Sequence, residues 1–174
     1  MKILIVYATE TGTTRECVRL MRQLLRRRDV SAVNLCEDAL PEDLSLYDAF
    51  LVGGPIRHGK LHPQVLRFIL DKRDLLLGKT VGYFVVAGFA DEAVEQIEKN
   101  IPKDLRDSAF DVVYVGGTLD VKRQKRWRDR LYVRFMRDSI LDTGDGDAVE
   151  DGEFTRVLPS INPDTIYRFT SKLN

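Results

Sequence analysis

Six consecutive residues near the start of the chain have the makings of an anion site: Thr9, Glu10, Thr11, Gly12, Thr13 and Thr14. Four hydroxyls and a glycine stand directly after an apolar run, Ile3 to Tyr7, and directly before residues at helical spacing. The first N–H groups of a helix have no intrahelical partners, and the helix dipole favours negative charge there. Such a loop suits a phosphate. It contains no lysine, so neutral donors would hold one phosphate monoester rather than a chain of phosphates. The plainer alternative is an ordinary threonine-capped helix start.

Two familiar phosphate loops do not fit. A dinucleotide fingerprint, G-x-G-x-x-G, needs three glycines after this strand, and only Gly12 is present. Further on, Gly54 to Lys60 matches G-x-x-x-x-G-K, but Leu61 stands where a magnesium-binding hydroxyl belongs. That stretch also follows the third strand, not the first. A phospho-receiver would cluster aspartates at the ends of strands 1 and 3. Ala8, Thr9, Gly53 and Gly54 occupy those places.

The elements that must position these residues alternate. Ile3 to Tyr7 reads as a buried strand: β-branched and aromatic, without charge. Cys17, Leu20, Met21, Leu24 and Leu25 then recur at helical spacing, with arginines outside. Val30 to Leu35 is a second strand, and Phe50 to Val52, ended by Gly53, Gly54 and Pro55, a third. Pro63 to Asp71 predicts a helix with Val65, Phe68 and Ile69 inward. Thr80 to Ala87 is a fourth strand, Asp91 to Asn100 a helix, and Asp111 to Val115 a fifth strand ended by Gly116 and Gly117. Asn162 followed by Pro163 predicts the cap and first position of a last helix that buries Ile166 and Phe169.

Apolar strands separated by helices argue for an α/β fold, a parallel sheet covered on both faces. Right-handed crossovers leave few topologies. The pattern T-x-T-G-x-T at Thr9, Thr11, Gly12 and Thr14, between the first strand and the first helix, resembles the phosphate loop of flavodoxin-like proteins. The resemblance implies a doubly wound five-stranded parallel sheet of order 2-1-3-4-5, in one domain spanning 1–174, with FMN as cofactor. Thr9, Glu10, Thr11, Gly12, Thr13 and Thr14 would be its phosphate contacts. In such a sheet the ligand lies beyond the carboxyl ends of strands 1, 3, 4 and 5. The remaining cofactor contacts would then be Gly54, Pro55, Ile56, Arg57, His58 and Gly59, then Ala87, Gly88 and Phe89, then Gly117, Thr118 and Leu119.

The second loop carries Arg57, His58 and Lys60. A cation beside a flavin ring stabilises its anionic reduced form by about one to a few kcal/mol at an effective dielectric of about 20. That favours a flavin taking two electrons from a substrate. Lys60 could equally face solvent, whereas Arg57, nearer the ring, is expected to act on the flavin. For His58, stacking, a rim position and a proton-transfer role all stay open. The flavin would do the redox chemistry, which leaves Arg57 and His58 as the candidate catalytic side chains.

At 174 residues the chain is long enough for one domain burying about 70% of its extended surface. Lys+Arg 27 against Asp+Glu 27 gives no net charge, so no nucleic-acid partner is expected. Cys17 and Cys36 read as small core residues of a cytoplasmic protein, not a metal site or disulfide. The N-terminal strand, needed from residue 2, argues against a leader, and no apolar run reaches the roughly 20 residues of a membrane span.

One segment has no place in a plain electron carrier. From Leu119 to Asp142, Lys122, Arg123, Lys125, Arg126, Arg128, Arg130, Arg134 and Arg137 outnumber the acids, and Trp127, Leu131 and Phe135 recur every fourth residue. This predicts a basic amphipathic helix with an aromatic apolar side, inserted over about 120–153. It could rest on an anionic membrane surface, receive an acidic and largely apolar ligand, or pack on its own domain. Together with Arg15-Glu16, Ile56-Arg57-x-Gly59 and Gly117-x-Leu119, the segment Arg126-Trp127-x-Asp129-Arg130 resembles the menaquinone-dependent protoporphyrinogen oxidases. That implies FMN-dependent dehydrogenation of a porphyrinogen, with electrons passed to a quinone at the membrane. Arg126, Trp127, Arg130 and Arg134 would hold substrate or meet the bilayer. The competing expectation is an FMN electron carrier, or a quinone reductase fed by a reduced nicotinamide or deazaflavin.

Overall fold

The first strand, β1 (Lys2–Tyr7), is apolar because both of its faces are covered. Ile3, Ile5 and Tyr7 join one core with Cys17, Val18 and Met21, while Leu4 and Val6 join another with Val65, Phe68 and Ile69. The computed structural model describes residues 1–88, 93–117 and 160–174. Side chains at 93 and 94 are outside that description.

Four more strands run parallel to β1: β2 (Asp29–Asn34), β3 (Ala49–Arg57), β5 (Thr80–Val86) and β6 (Asp111–Tyr114). Their order is β2-β1-β3-β5-β6, the expected 2-1-3-4-5 arrangement once a short extra strand, β4 (Lys60–Leu61), is set aside. Helix α1 (Thr13–Leu24) and helix α6 (Pro163–Ser171) pack together over one face. On the other face lie α2 (Pro63–Asp71), α3 (Arg73–Leu77) and α5 (Lys103–Ser108). Between β5 and α5 comes α4 (Ala93–Asn100).

The third strand differs from its expected form. It does not stop at the glycines but runs through Gly53, Gly54 and Pro55, which pair with Phe84, Val85 and Val86 of β5. The chain then reverses over two residues, His58 (φ 50°) and Gly59 (φ 75°), and β4 pairs back antiparallel, Arg57 opposite Lys60. Two consecutive left-handed residues between paired strands are the two-residue hairpin turn that suits sheet twist. This geometry also disposes of the nucleotide-triphosphate motif: Gly54 to Lys60 is strand and hairpin, not a loop feeding a helix. The insert over 120–153 lies outside the described residues.

Candidate functional site

The loop after β1 ends at Gly12, whose left-handed backbone (φ 92°, ψ −13°) caps α1. A side chain there would be strained, which is why the turn uses glycine. Gly12 N–H donates to Thr9 Oγ1 at 3.0 Å. Thr9, Thr13 and Thr14 are buried. The N-cap residue, Gly12, has no side chain to offer the first turn of α1, and the start of a helix is where an external acceptor is favoured.

The loop is fastened from the side by Asn34, at the end of β2 and only 1% exposed. Its Oδ1 accepts from Thr9 N–H at 3.2 Å and from Cys36 N–H at 3.3 Å. Nothing in the sequence marks this role, because it depends on β2 lying beside β1. Asn34→Ala leaves the buried Thr9 amide unpaired. We expect it to cost about 2 kcal/mol in chemical denaturation, as for the loss of a buried partner.

The second loop meets the first through charge. The Glu10 carboxylate lies 3.6 Å from Arg57 Nη1 and 3.8 Å from His62 Nε2. Arg57 is thus engaged with a carboxylate of the phosphate-type loop, and its charge is shared with Glu10. Both partners of that pair are about one-third exposed, so the pair contributes at most about 1 kcal/mol to stability. Lys60 is exposed on β4. From the other side Asn100 of α4 fastens the hairpin: its Nδ2 donates to Gly59 O at 3.0 Å, and its Oδ1 accepts from Leu61 N–H at 2.7 Å.

His62, just before α2, is a site residue that the sequence did not single out. Its side chain is 13% exposed. Burial pushes its pKa below the ordinary 6.5, aided by Arg57 and opposed by Glu10. A histidine with a lowered folded pKa binds fewer protons than in the unfolded chain, so stability is complete above about 6.5 and falls as pH drops through that value. Melting temperatures measured from pH 7.5 to 5 should therefore decline, and His62→Gln should flatten part of that slope. Cys36, expected in the core, is exposed: its thiol donates to Gln64 Oε1 at 3.1 Å and lies 3.8 Å from His62 Nε2. Cys17 is buried as expected, and burial pushes its thiol up to about 12.

The third and fourth loops also converge. Ala87 N–H donates to Gly116 O at 3.2 Å, and Tyr114 Oη donates to Ala87 O at 3.0 Å. Gly117 N–H donates to Ser160 O, which ties this end of the sheet to the segment before α6. Ala87, Gly88 and Gly117 thus lie at the same edge as the β3–β4 hairpin, joined through Pro55 beside Val86. Phe89, Thr118, Leu119, Arg126, Trp127, Arg130 and Arg134 lie outside the described residues.

A strand, a helix that starts at a left-handed glycine, and convergent strand ends agree with a comparison of sequences. Residues 4–147 match a family model described as Flavodoxin domain. The chain belongs to this flavodoxin family. No curated protein matches it. Among solved structures, the FMN-bound flavodoxin of Fusobacterium nucleatum aligns over 99% of this chain and 96% of its own, with 14% identity and a TM-score of 0.50. The two-electron reduced flavodoxin of Megasphaera elsdenii covers 64% of this chain and 84% of its own, with 24% identity and a TM-score of 0.48. A flavoprotein of Lactobacillus acidophilus in complex with FMN covers 65% and 92%, with 13% identity and a TM-score of 0.46. At 14% identity the first of these likenesses speaks for the flavodoxin fold alone. Among the described residues of this flavodoxin, no helix is long and apolar enough to cross a membrane.

Proposed function

We propose that this flavodoxin binds FMN at the carboxyl end of its sheet and acts as an FMN-dependent oxidoreductase. The observation that carries the reading is the start of α1 at a left-handed glycine, Gly12, with buried Thr13 and Thr14 in its first turn. These residues fit a phosphate monoester: N–H groups and hydroxyls, no lysine, and one carboxylate, Glu10, already engaged by Arg57. Thr9 to Thr14 would hold the phosphate, and the β3–β4 hairpin with Ala87, Gly88 and Gly117 would flank the ring. FMN, when bound, would supply transfer of one or two electrons. Asn34 and Asn100 would keep the first and second loops in place.

The substrate reading rests on the insert. Its arginines, alternating with Trp127 and Phe135, suit a large apolar ring bearing carboxylates, and its basic side suits an anionic bilayer. The finer proposal is therefore a cytoplasmic, membrane-visiting protoporphyrinogen IX dehydrogenase that passes electrons to a quinone. One observation favours the second reading, an electron carrier: Glu10 offsets the positive charge that Arg57 was expected to bring to the ring. Anaerobic incubation of the FMN-loaded protein with protoporphyrinogen IX and a naphthoquinone separates the two. Porphyrin formation proportional to protein supports the dehydrogenase. No turnover with any quinone, alongside ready electron exchange with a redox protein, overturns it.

A further inference from the structure

We propose that the open edge of the sheet at β2, under the arginine face of α1, is a docking site for an acidic, extended segment of a partner protein, which adds to β2 as a further strand. The inference goes beyond the cofactor reading and does not depend on it.

Arg15, Arg19 and Arg22 follow one another at i, i+4 and i+7, which places them in a single stripe along α1, and Arg26 lines the same groove just past the helix end. A groove of about 680 Å³ lies between this stripe and β2. Its floor includes Val18, Leu25, Val30 and Ala32. Arg15 is paired with Glu37. Arg19, Arg22, Arg26 and Arg28, which also line the groove, make no ion pair among the described residues. Unopposed guanidinium groups over a partly apolar floor favour a ligand that brings carboxylates at matching intervals.

The backbone specifies the form of that ligand. Among the described strands, β2 pairs only with β1. Leu35 N–H donates to Tyr7 O, towards β1. Amides alternate in direction along a strand, so those of Val30, Ala32 and Asn34 face the open edge. Asn34 N–H is already taken by Asp38 Oδ2 at 2.9 Å. Val30 and Ala32 are left to receive a new strand in the manner of edge-strand peptide recognition. The six residues of β2 span about 20 Å, and Arg15 to Arg22 span about 10 Å of helix, with Arg26 beyond its end. A hexapeptide with an acid at every second position puts three carboxylates on the α1 side, about 7 Å apart.

The test uses the full chain and a fluorescein-labelled hexapeptide alternating Glu and Val. Saturable binding is expected, weakened at least tenfold in Arg19→Glu/Arg22→Glu and at least tenfold by N-methylation of alternate peptide amides. The alternating Lys and Val peptide should not bind. Absence of saturable binding by the Glu peptide overturns the proposal, as would a stripe that merely guards the edge. Undiminished binding by the N-methylated peptide, or displacement by inorganic tripolyphosphate at the same concentration as by the peptide, also overturns it, because charge alone would then explain the binding. The double variant changes only exposed side chains, and an unchanged melting temperature confirms that it is folded.

Discussion

Gly53→Ala should destabilise the protein by about 3 kcal/mol, at the upper end of ordinary overpacking, and lower the melting temperature by about 10 °C. Gly53 sits in the centre of the sheet, paired with Tyr7 of β1 on one side and Phe84 of β5 on the other. A Cβ at this position would lie 2.0 Å from the carbonyl oxygen of Phe84 and 2.6 Å from its ring. The ring could rotate, but the carbonyl belongs to the ladder and cannot. Relief requires β3 and β5 to separate where both are fully buried. The matched control is Gly78→Ala at the end of α3, where the nearest atom is 3.6 Å from the new Cβ. That change should stay within about 1 kcal/mol. Equal effects of the two substitutions, read by thermal and urea unfolding, would contradict this account of the central strands.

Thr13→Asp should weaken FMN binding by about a hundredfold while leaving the apoprotein folded. Thr13 is the first residue of α1. Thr13 is buried, so the helix dipole offsets only part of the cost of desolvating a carboxylate there, and the apoprotein should lose about 1 kcal/mol and stay folded. Against a phosphate in the same turn the carboxylate is repulsive. Two unit charges about 5 Å apart at an effective dielectric of about 20 repel by about 3 kcal/mol, which corresponds to at least a hundredfold in affinity. Fluorescence titration with FMN and melting of the apoprotein give the two readouts. Loss of affinity together with loss of the apoprotein's unfolding transition would signal misfolding, and unchanged affinity would place the phosphate elsewhere.

How much of this was legible beforehand depended on punctuation and length. The helix at Pro63–Asp71 and the start of the helix at Pro163 were read to the residue because proline marks the first helical position and Asn162 caps the second of them, its Oδ1 accepting from Thr165 N–H. The parallel sheet followed from apolar runs alternating with helices, and its strand order from the resemblance of the first loop to those of flavodoxin-like proteins. The end of β3 was misread because glycine and proline usually stop a strand, whereas here Gly53 lets two backbones close up and Pro55 lies next to the hairpin. The two-residue β4 and the short α3 and α5 carry too few residues for a period to show. Asn34, His62 and Asn100 escaped notice for another reason. Each acts on a segment 25 to 52 residues distant (62 − 10 = 52 for His62 and Glu10), and only the fold brings them to the site. Arg57 was placed in the right loop, yet its partner Glu10 lies in a different one.

The central claim, that the first loop is built around the phosphate of FMN, is tested most directly by titrating the apoprotein with FMN and with riboflavin, which lacks only the phosphate. One FMN per chain should bind, at least about a hundredfold more tightly than riboflavin, since the phosphate would add several charge-assisted hydrogen bonds at the start of α1. Equal affinity for the two flavins, or binding of neither, would contradict it.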